Sequence, residues 1–540
     1  MIVPLNEDQE AAAEAIHGNV VTIAGPGTGK TTVLINRYLR MISKHSIPSA
    51  DILNLTFTSE AAKNMVERVG LFGAKEVFRT FHSFALDLIM KERANLPFKA
   101  NEFILPQHGQ DFQLLRDLMK LYPAISSFRS LKDEIARWKA SNVSPEQAMR
   151  ETFDDAKGTS FFYASAYRDY EAKCRQQGWL DFDSLMRETV KLLETNNEVR
   201  GRWIRKFICV DECQDTDVAQ FRLLQLLYGG NIFVVGDENQ LIYEWRSAVA
   251  GNLTNFSNHF PGSRTLFLGA NYRSTGAIVE FLKRILPVDN GLASHLRSMR
   301  ERGTEPTFVK YDSDLHEADG VIGKLGDLNN TVVIARTNRQ LRTFQKMCAT
   351  RNIRTMILGQ KDLWQTNEVK HLIDLTKEHK NSPRQAHEVM TELMEQHNLT
   401  YTYRNTGGPN EKPAVENLAD IVRLSAKRGT VAEFLTWLRK LTFACDAAKS
   451  PSYAHKDKNP TLALTTVHQA KGREWKNVFV IGARQGLMPH KDGEILEEKR
   501  IFYVACSRAA DFLEISYDGN LTEFLNDFKE KVKYHENSNV

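Results

Sequence analysis

A chain of 540 residues is longer than one hydrophobic core ordinarily organises, so two to four domains are expected. Its 42% hydrophobic, 26% charged and 9% aromatic content excludes collagen-like, mucin-like and wholly disordered chains. With 71 basic and 67 acidic residues the formal charge is only +4; total charge does not announce a nucleic-acid binder, but a local basic groove is compatible with it.

In chain order, the N-terminal MIVPLNEDQE carries acids where a secretion signal would be basic and then apolar. No apolar run reaches the roughly 18–20 residues of a membrane span. A cytoplasmic protein outside the membrane is expected. Short β-branched and aromatic runs then recur at Val20–Ala24, Ile52–Phe57, Phe207–Val210, Ile232–Val235, Thr265–Leu268, Val332–Ala335, Leu462–Val467 and Val478–Ile481. Continuous apolar strands alternating with helical patterns indicate parallel sheets covered on both faces. The runs form two groups, before and after about residue 262, which reads as two α/β domains. The stretch between Lys91 and Asn197, with helical patterns at Phe112–Lys120 and Phe161–Gln177, is too long for a loop and reads as an inserted helical subdomain. A second helical insert, about Thr366 to Pro460, holds patterns at Pro383–Gln396 and Val431–Leu441. The polar segments Arg404–Lys412 and Lys449–Pro460 break it as loops. The six cysteines, Cys174, Cys209, Cys213, Cys348, Cys445 and Cys506, form no CxxC pair. Reduced, structural thiols and no structural metal are expected. His535–Val540 reads as a polar tail.

Two segments carry chemistry. AGPGTGKTT, Ala24 to Thr32, lies between a strand and a helix. Gly25, Gly27 and Gly29 let the backbone wrap a phosphate, with Thr28 and Thr32 inside the same turn, and the helix N-terminus adds oriented N–H groups. Lys30 would neutralise the β- and γ-phosphates and the Thr31 hydroxyl would hold Mg²⁺. Further on, a buried strand delivers Asp211 and Glu212 at its C-terminal end, where α/β sheets bind ligands. Asp211 can reach the Mg²⁺, and Glu212 can take a proton from an attacking water. Together the two segments imply hydrolysis of a nucleoside triphosphate, with ATP and Mg²⁺ as the cofactors expected.

Four further segments narrow the reading: Val234–Gln240 with Leu241–Arg246, Gly269–Thr275, Thr465–Trp475 and Glu497–Ala509. With them the chain resembles the UvrD/Rep/PcrA-type superfamily 1 DNA helicases, nearly end to end and in the family's motif order. Leu5-Asn6-Glu-Asp-Gln9 looks like the family's adenine-reading motif, with Gln9 the reader. Thr56-Phe57-Thr58 and Thr80-Phe81-His82-Ser83 are similar to its first strand-contacting motifs. Leu180-Asp181-Phe182-Asp183 closes the first insert as the family's does. The resemblance implies two RecA-like P-loop domains, the first from 1–90 and 198–262, the second from 263–365 and 461–540. It makes 91–197 and 366–460 the helical inserts, the latter short for the family. It further implies that Gln240 couples the γ-phosphate to the DNA track, Tyr272 stacks on adenine, Glu474 holds the ribose, and Arg273 and Arg508 meet the γ-phosphate. Thr56, Phe57, Thr58, Phe81, His82, Tyr243, Trp245 and His468 would contact single-stranded DNA, where aromatic rings offer stacking that tolerates any base.

Cys213, Leu241, Ser247 and Trp475 depart from the family pattern without removing a chemical group. The function implied is an ATP- and Mg²⁺-dependent motor that moves 3′ to 5′ on single-stranded DNA and opens duplex at single-strand/duplex junctions, with a recruiting protein partner admitted. Two alternatives stand beside it: a DNA-stimulated ATPase serving as the regulatory subunit of a larger complex, and a nucleotide-dependent RNA-binding module.

Overall fold

The computed structural model describes residues 4–70, 77–99, 105, 110–125, 127–153, 159–243, 248–403, 414–442 and 460–535. Trp245, Ser247, Cys445, the segment Arg404–Lys412, nearly all of Lys449–Pro460 and residues 536–540 lie outside the described residues. The chain divides into two compact units, Met1–Tyr272 with Val288–Leu296, and Arg273–Pro287 with Arg297–Val540.

The first unit is built on six parallel strands: β1 (Asn19–Ala24), β2 (Ile52–Thr56), β3 (Phe78–Thr80), β4 (Arg205–Val210), β5 (Tyr228–Gly236) and β6 (Arg264–Leu268). Their order across the sheet is β3-β2-β4-β5-β1-β6. All of β1 and β2 is buried, as a sheet covered on both faces requires. Because every pairing is parallel, the C-terminal ends of β1, β2, β4 and β5 share one edge. The phosphate-loop sequence, Thr56, Asp211 and Asp237 all leave the sheet there.

One grouping is corrected. Arg264–Leu268, expected at the head of the second domain, is the outer strand of the first sheet, with Val21 opposite Thr265 and Ala24 opposite Leu268. Leu268 packs in the core with Val20, Val33 and Phe233. A strand's own run encodes its burial but not which sheet receives it, so a boundary drawn from spacing alone fell one strand early.

Residues 91–197 do form helices, among them Gln110–Leu121, Phe128–Ala140, Thr159–Gln176 and Phe182–Thr195. Leu131, Ile135 and Trp138 recur at helical spacing and meet Leu115, Leu118, Tyr167 and Tyr170 in a separate small core. Inside this core Lys139 is fully buried, 2.8 Å from Glu171 and 2.5 Å from Asp181. Arg187 pairs with Glu171 and, at 2.9 Å, with Glu188. Asp181 also caps the last helix by accepting the Ser184 N–H.

Two short extended segments follow the first sheet, β7 (Ala270–Asn271) and β8 (Arg297–Ser298). The second unit then carries β9 (Thr307–Tyr311), β10 (Thr331–Ala335), β11 (Thr355–Ile357), β12 (Leu462–Thr466), β13 (Trp475–Val480), β14 (Ala509–Asp518) and β15 (Val532–Tyr534). They form one parallel sheet ordered β11-β12-β10-β13-β14-β9-β15. Between β11 and β12 the helices Asn367–Glu378, Ala386–Gln396, Ala414–Ser425 and Val431–Thr442 share a core that includes Trp364, Leu372, Met390, Ile421 and Phe434. Among the described residues no helix is long and apolar enough to cross a membrane, and no group of three or more His, Cys, Asp and Glu is placed to hold a metal ion. Cys174, Cys209, Cys213, Cys348 and Cys506 are buried and not disulfide-bonded.

Candidate nucleotide site and strand-contacting residues

The loop after β1 turns into the helix Lys30–Ser43 through Gly27 (φ +67°) and Gly29 (φ +82°), left-handed positions that L side chains rarely adopt. Gly29 is doubly constrained, since a Cβ there would lie 2.7 Å from the Gln9 amide nitrogen. Three successive carbonyls of the loop are held by donors: Pro26 by the Asn271 amide at 2.7 Å, Gly27 by the Tyr272 N–H at 3.0 Å, and Thr28 by Gln9 Nε2 at 2.9 Å. Thr28 Oγ1 closes the turn by donating to the Gly25 carbonyl at 2.8 Å. Carbonyls anchored in this way favour a loop that presents its N–H groups as an anion cradle.

Gln9 and Tyr272, expected at the adenine, both reach this loop. Gln9 Oε1 accepts the Asn6 N–H at 3.1 Å in a capping box, and Asn6 Nδ2 donates to the Tyr272 hydroxyl at 2.7 Å. Tyr272 is 46% exposed, which leaves much of its surface accessible. Thr32, at the start of the helix, receives a hydrogen bond from Arg68 at 2.9 Å.

Asp211 is buried, and burial together with the neighbouring Glu212 carboxylate pushes its pKa up to about 7; Lys30, the Glu212 N–H and the Thr31 hydroxyl pull the other way. Glu212 itself stands at φ +50°, ψ +44°, a left-handed backbone for a residue with a Cβ. Its carboxylate lies 4.0 Å from Lys30 Nζ and accepts a 2.7 Å hydrogen bond from Gln214. Gln240 is 3% exposed and donates to Asp237 at 2.6 Å. Burial raises the Asp237 carboxyl above its ordinary range, with Lys30 and Gln240 opposing. Lys30, Thr31, Asp211, Glu212 and Gln240 are thus brought together on one edge of the first sheet.

Arg273, Glu474 and Arg508 come together in the second unit. Arg273 Nε donates to Glu474 at 2.6 Å and its Nη1 to the Ser507 carbonyl at 3.0 Å. Arg508 is 1% exposed and donates to the Val504 carbonyl at 3.0 Å and to Ser507 Oγ at 2.7 Å. Glu474, expected at the ribose, holds Arg273 in this state. His468 is half-buried on the short helix Val467–Ala470 that follows β12.

The expected strand-contacting residues divide. Phe57 and Tyr243 are half-buried and stack on each other at 5.5 Å with an interplanar angle of 21°. Thr58 caps the helix Ser59–Val69. Thr56 is 1% exposed at the end of β2. His82 stacks on Phe182 at 4.3 Å, and burial pushes its pKa down to about 4, so the ring is neutral at pH 7. Phe81 does not join them: it is 2% exposed and packs with Val21, Leu55 and Phe84 in the core, so in this state no ring face is open to a base. Trp245 lies outside the described residues. Sequence reasoning gave no role to Phe182, which is 57% exposed although it begins a helix beside His82, nor to Asn6, Asn271 and Gln214. The signal for Phe182 was an aromatic directly after a helix cap, and the other three needed tertiary contacts to be seen.

Comparison with known proteins divides the chain in the same order but at residues 261–266, ahead of the end of the first sheet's outer strand. Residues 5–261 match the UvrD/REP helicase N-terminal domain, and residues 266–388 and 377–520 match the UvrD-like helicase C-terminal domain. The chain is 28% identical to the ATP-dependent DNA helicase Rep of Escherichia coli (strain K12), over 94% of this chain and 89% of that protein. It is 25% identical to the ATP-dependent DNA helicase PcrA of Bacillus subtilis (strain 168), over 95% of this chain and 82% of that protein. With both domains matched in order on either side of residue 265, the chain belongs to the UvrD/REP helicase family.

Proposed function

We propose that this chain is an ATP- and Mg²⁺-dependent motor that moves 3′ to 5′ along single-stranded DNA and unwinds duplex at its junctions. The observation that carries the reading is the cluster of Lys30, Thr31, Asp211 and Glu212 at one sheet edge with Gln240 beside it. Both relatives named above are ATP-dependent DNA helicases.

The chemistry follows from the residues. Lys30 offsets phosphate charge while the glycine turn supplies N–H donors. Thr31 and Asp211 are hard oxygen donors side by side, too few for an all-protein cage but suited to Mg²⁺, which keeps waters and phosphate oxygens as its other ligands. A Mg²⁺ held by Thr31 and Asp211 would supply positive charge to the phosphates and would favour the ionised form of Asp211 that burial otherwise opposes. Glu212 accepts the proton of the attacking water, and Gln240 senses the γ-phosphate. Arg273 and Arg508 supply positive charge to that phosphate once drawn from their present partners, and Glu474 turns to the ribose. Phe57, Tyr243, Trp245, Thr58, His82 and His468 hold the strand, with Phe182 added beside His82; Thr56, like Phe81, is buried in the present state.

Steady-state ATP hydrolysis with no nucleic acid, single-stranded DNA, duplex DNA or single-stranded RNA, with Lys30→Ala as blank, tests the reading. Stimulation by single-stranded DNA, together with unwinding of a 3′-tailed and not a 5′-tailed duplex, is expected. Stimulation by RNA alone, or indifference to all nucleic acids, overturns it. Translocation without unwinding favours the regulatory-subunit alternative.

A further inference from the structure

Gln214 lies two residues beyond Glu212 and is 1% exposed, yet both ends of its amide are engaged. Nε2 donates to the Glu212 carboxylate at 2.7 Å, and Oε1 accepts the Asp237 N–H at 2.9 Å. Asp237 in turn accepts from Gln240 Nε2 at 2.6 Å and from the Asn239 N–H at 3.0 Å. One hydrogen-bonded path therefore runs Glu212–Gln214–Asp237–Gln240 across the ends of β4 and β5. The path needs the glycine at 236, where a Cβ would come 2.3 Å from Gln214 Oε1. Its direction is also set. A flipped amide would put an oxygen against a carboxylate and an NH₂ against an N–H, so only one orientation satisfies both partners.

We propose that Gln214 is a positioning residue for hydrolysis, fixing the aim of Glu212 and tying that aim, through Asp237, to Gln240. A shift of Gln240 then reaches the carboxylate that activates water, so that events at Gln240 gate turnover. This rests on the reading of Glu212 as general base and of Gln240 as the link to the DNA track.

The test compares steady-state ATP turnover of Gln214→Met, Gln214→Glu, Gln240→Ala and the Gln214→Met/Gln240→Ala double variant, with and without single-stranded DNA. Glu212→Gln is the control, and circular dichroism checks folding. Loss of a charge-assisted hydrogen bond should lower the DNA-stimulated kcat of Gln214→Met roughly tenfold while KM for ATP moves less than about twofold. Gln214→Glu keeps the acceptor for the Asp237 N–H but faces Glu212 with a second carboxylate, so its basal kcat should fall as well. In the double variant the loss of stimulation should not exceed that of Gln240→Ala alone. Wild-type kcat and stimulation in Gln214→Met, additive losses in the double variant, or an effect confined to thermal stability overturns the proposal. A Glu212→Gln variant that still turns over ATP overturns the underlying general-base reading instead.

Discussion

Lys30 and Glu212 stand 4.0 Å apart but serve different steps, so their substitutions should separate. Lys30→Ala removes charge that binding itself needs and should abolish turnover together with tight ATP binding. Glu212→Gln keeps size and hydrogen bonding but cannot accept a proton; it should bind ATP normally, by fluorescent-nucleotide titration, and lose turnover by about 10²-fold or more. A second residue-scale prediction concerns Glu317, which is 3% exposed, accepts from the Gly482 N–H and Ser516 Oγ, and is pushed up to about 7 by burial. Between its unfolded value of 4.5 and about 7 the folded chain holds a proton that the unfolded chain releases. Stability therefore falls as pH rises through that window, by about 3 kcal/mol. Glu317→Gln, whose amide oxygen can still accept both hydrogen bonds, should flatten this dependence and raise the denaturation midpoint at pH 8. At this scale legibility followed locality. Lys30, Thr31, Asp211 and Glu212 were readable because glycine spacing and a strand end dictate where they sit. Phe81 was not, because core packing and not sequence neighbourhood decides whether its ring is open.

The first helical insert turns on a buried ionic cluster. Burial alone would lower the Lys139 pKa, but Asp181 and Glu171 more than reverse this, and the amine stays charged. Lys139→Met fills similar space yet leaves Asp181 without its cation and Glu171 with Arg187 alone, a change expected to destabilise by about 3–5 kcal/mol. Urea denaturation followed by circular dichroism should show it, and a midpoint within error of wild type would refute the assignment. The helices themselves were legible from apolar spacing: Phe112–Lys120 was expected and Gln110–Leu121 observed, and Val431–Leu441 was expected and Val431–Thr442 observed. The ionic cluster was not, since Lys139, Glu171, Asp181 and Arg187 lie on three helices and each alone reads as a solvated charge. The same limit misplaced Arg264–Leu268, whose pairing with β1 depends on a partner some 240 residues earlier.

For the whole molecule, two parallel sheets with helical inserts were readable because buried strands and amphipathic helices carry different periods. The state of the arginines was not, because the ion pair between Arg273 and Glu474 joins residues 201 positions apart. One local feature also bears on the stability of the entire chain. Glu212 keeps its Cβ in a left-handed backbone, at φ +50° and ψ +44°, a conformation costing about 1–2 kcal/mol that glycine occupies freely. The fold thus carries a thermal handicap at the residue that would activate water, and hardiness and turnover pull in opposite directions there. Glu212→Gly should melt at a higher temperature than Glu212→Ala, since both lose the Gln214 hydrogen bond and only glycine is at ease in that backbone, while both are inert. Selection for heat resistance among such variants would then reward chains that have stopped working.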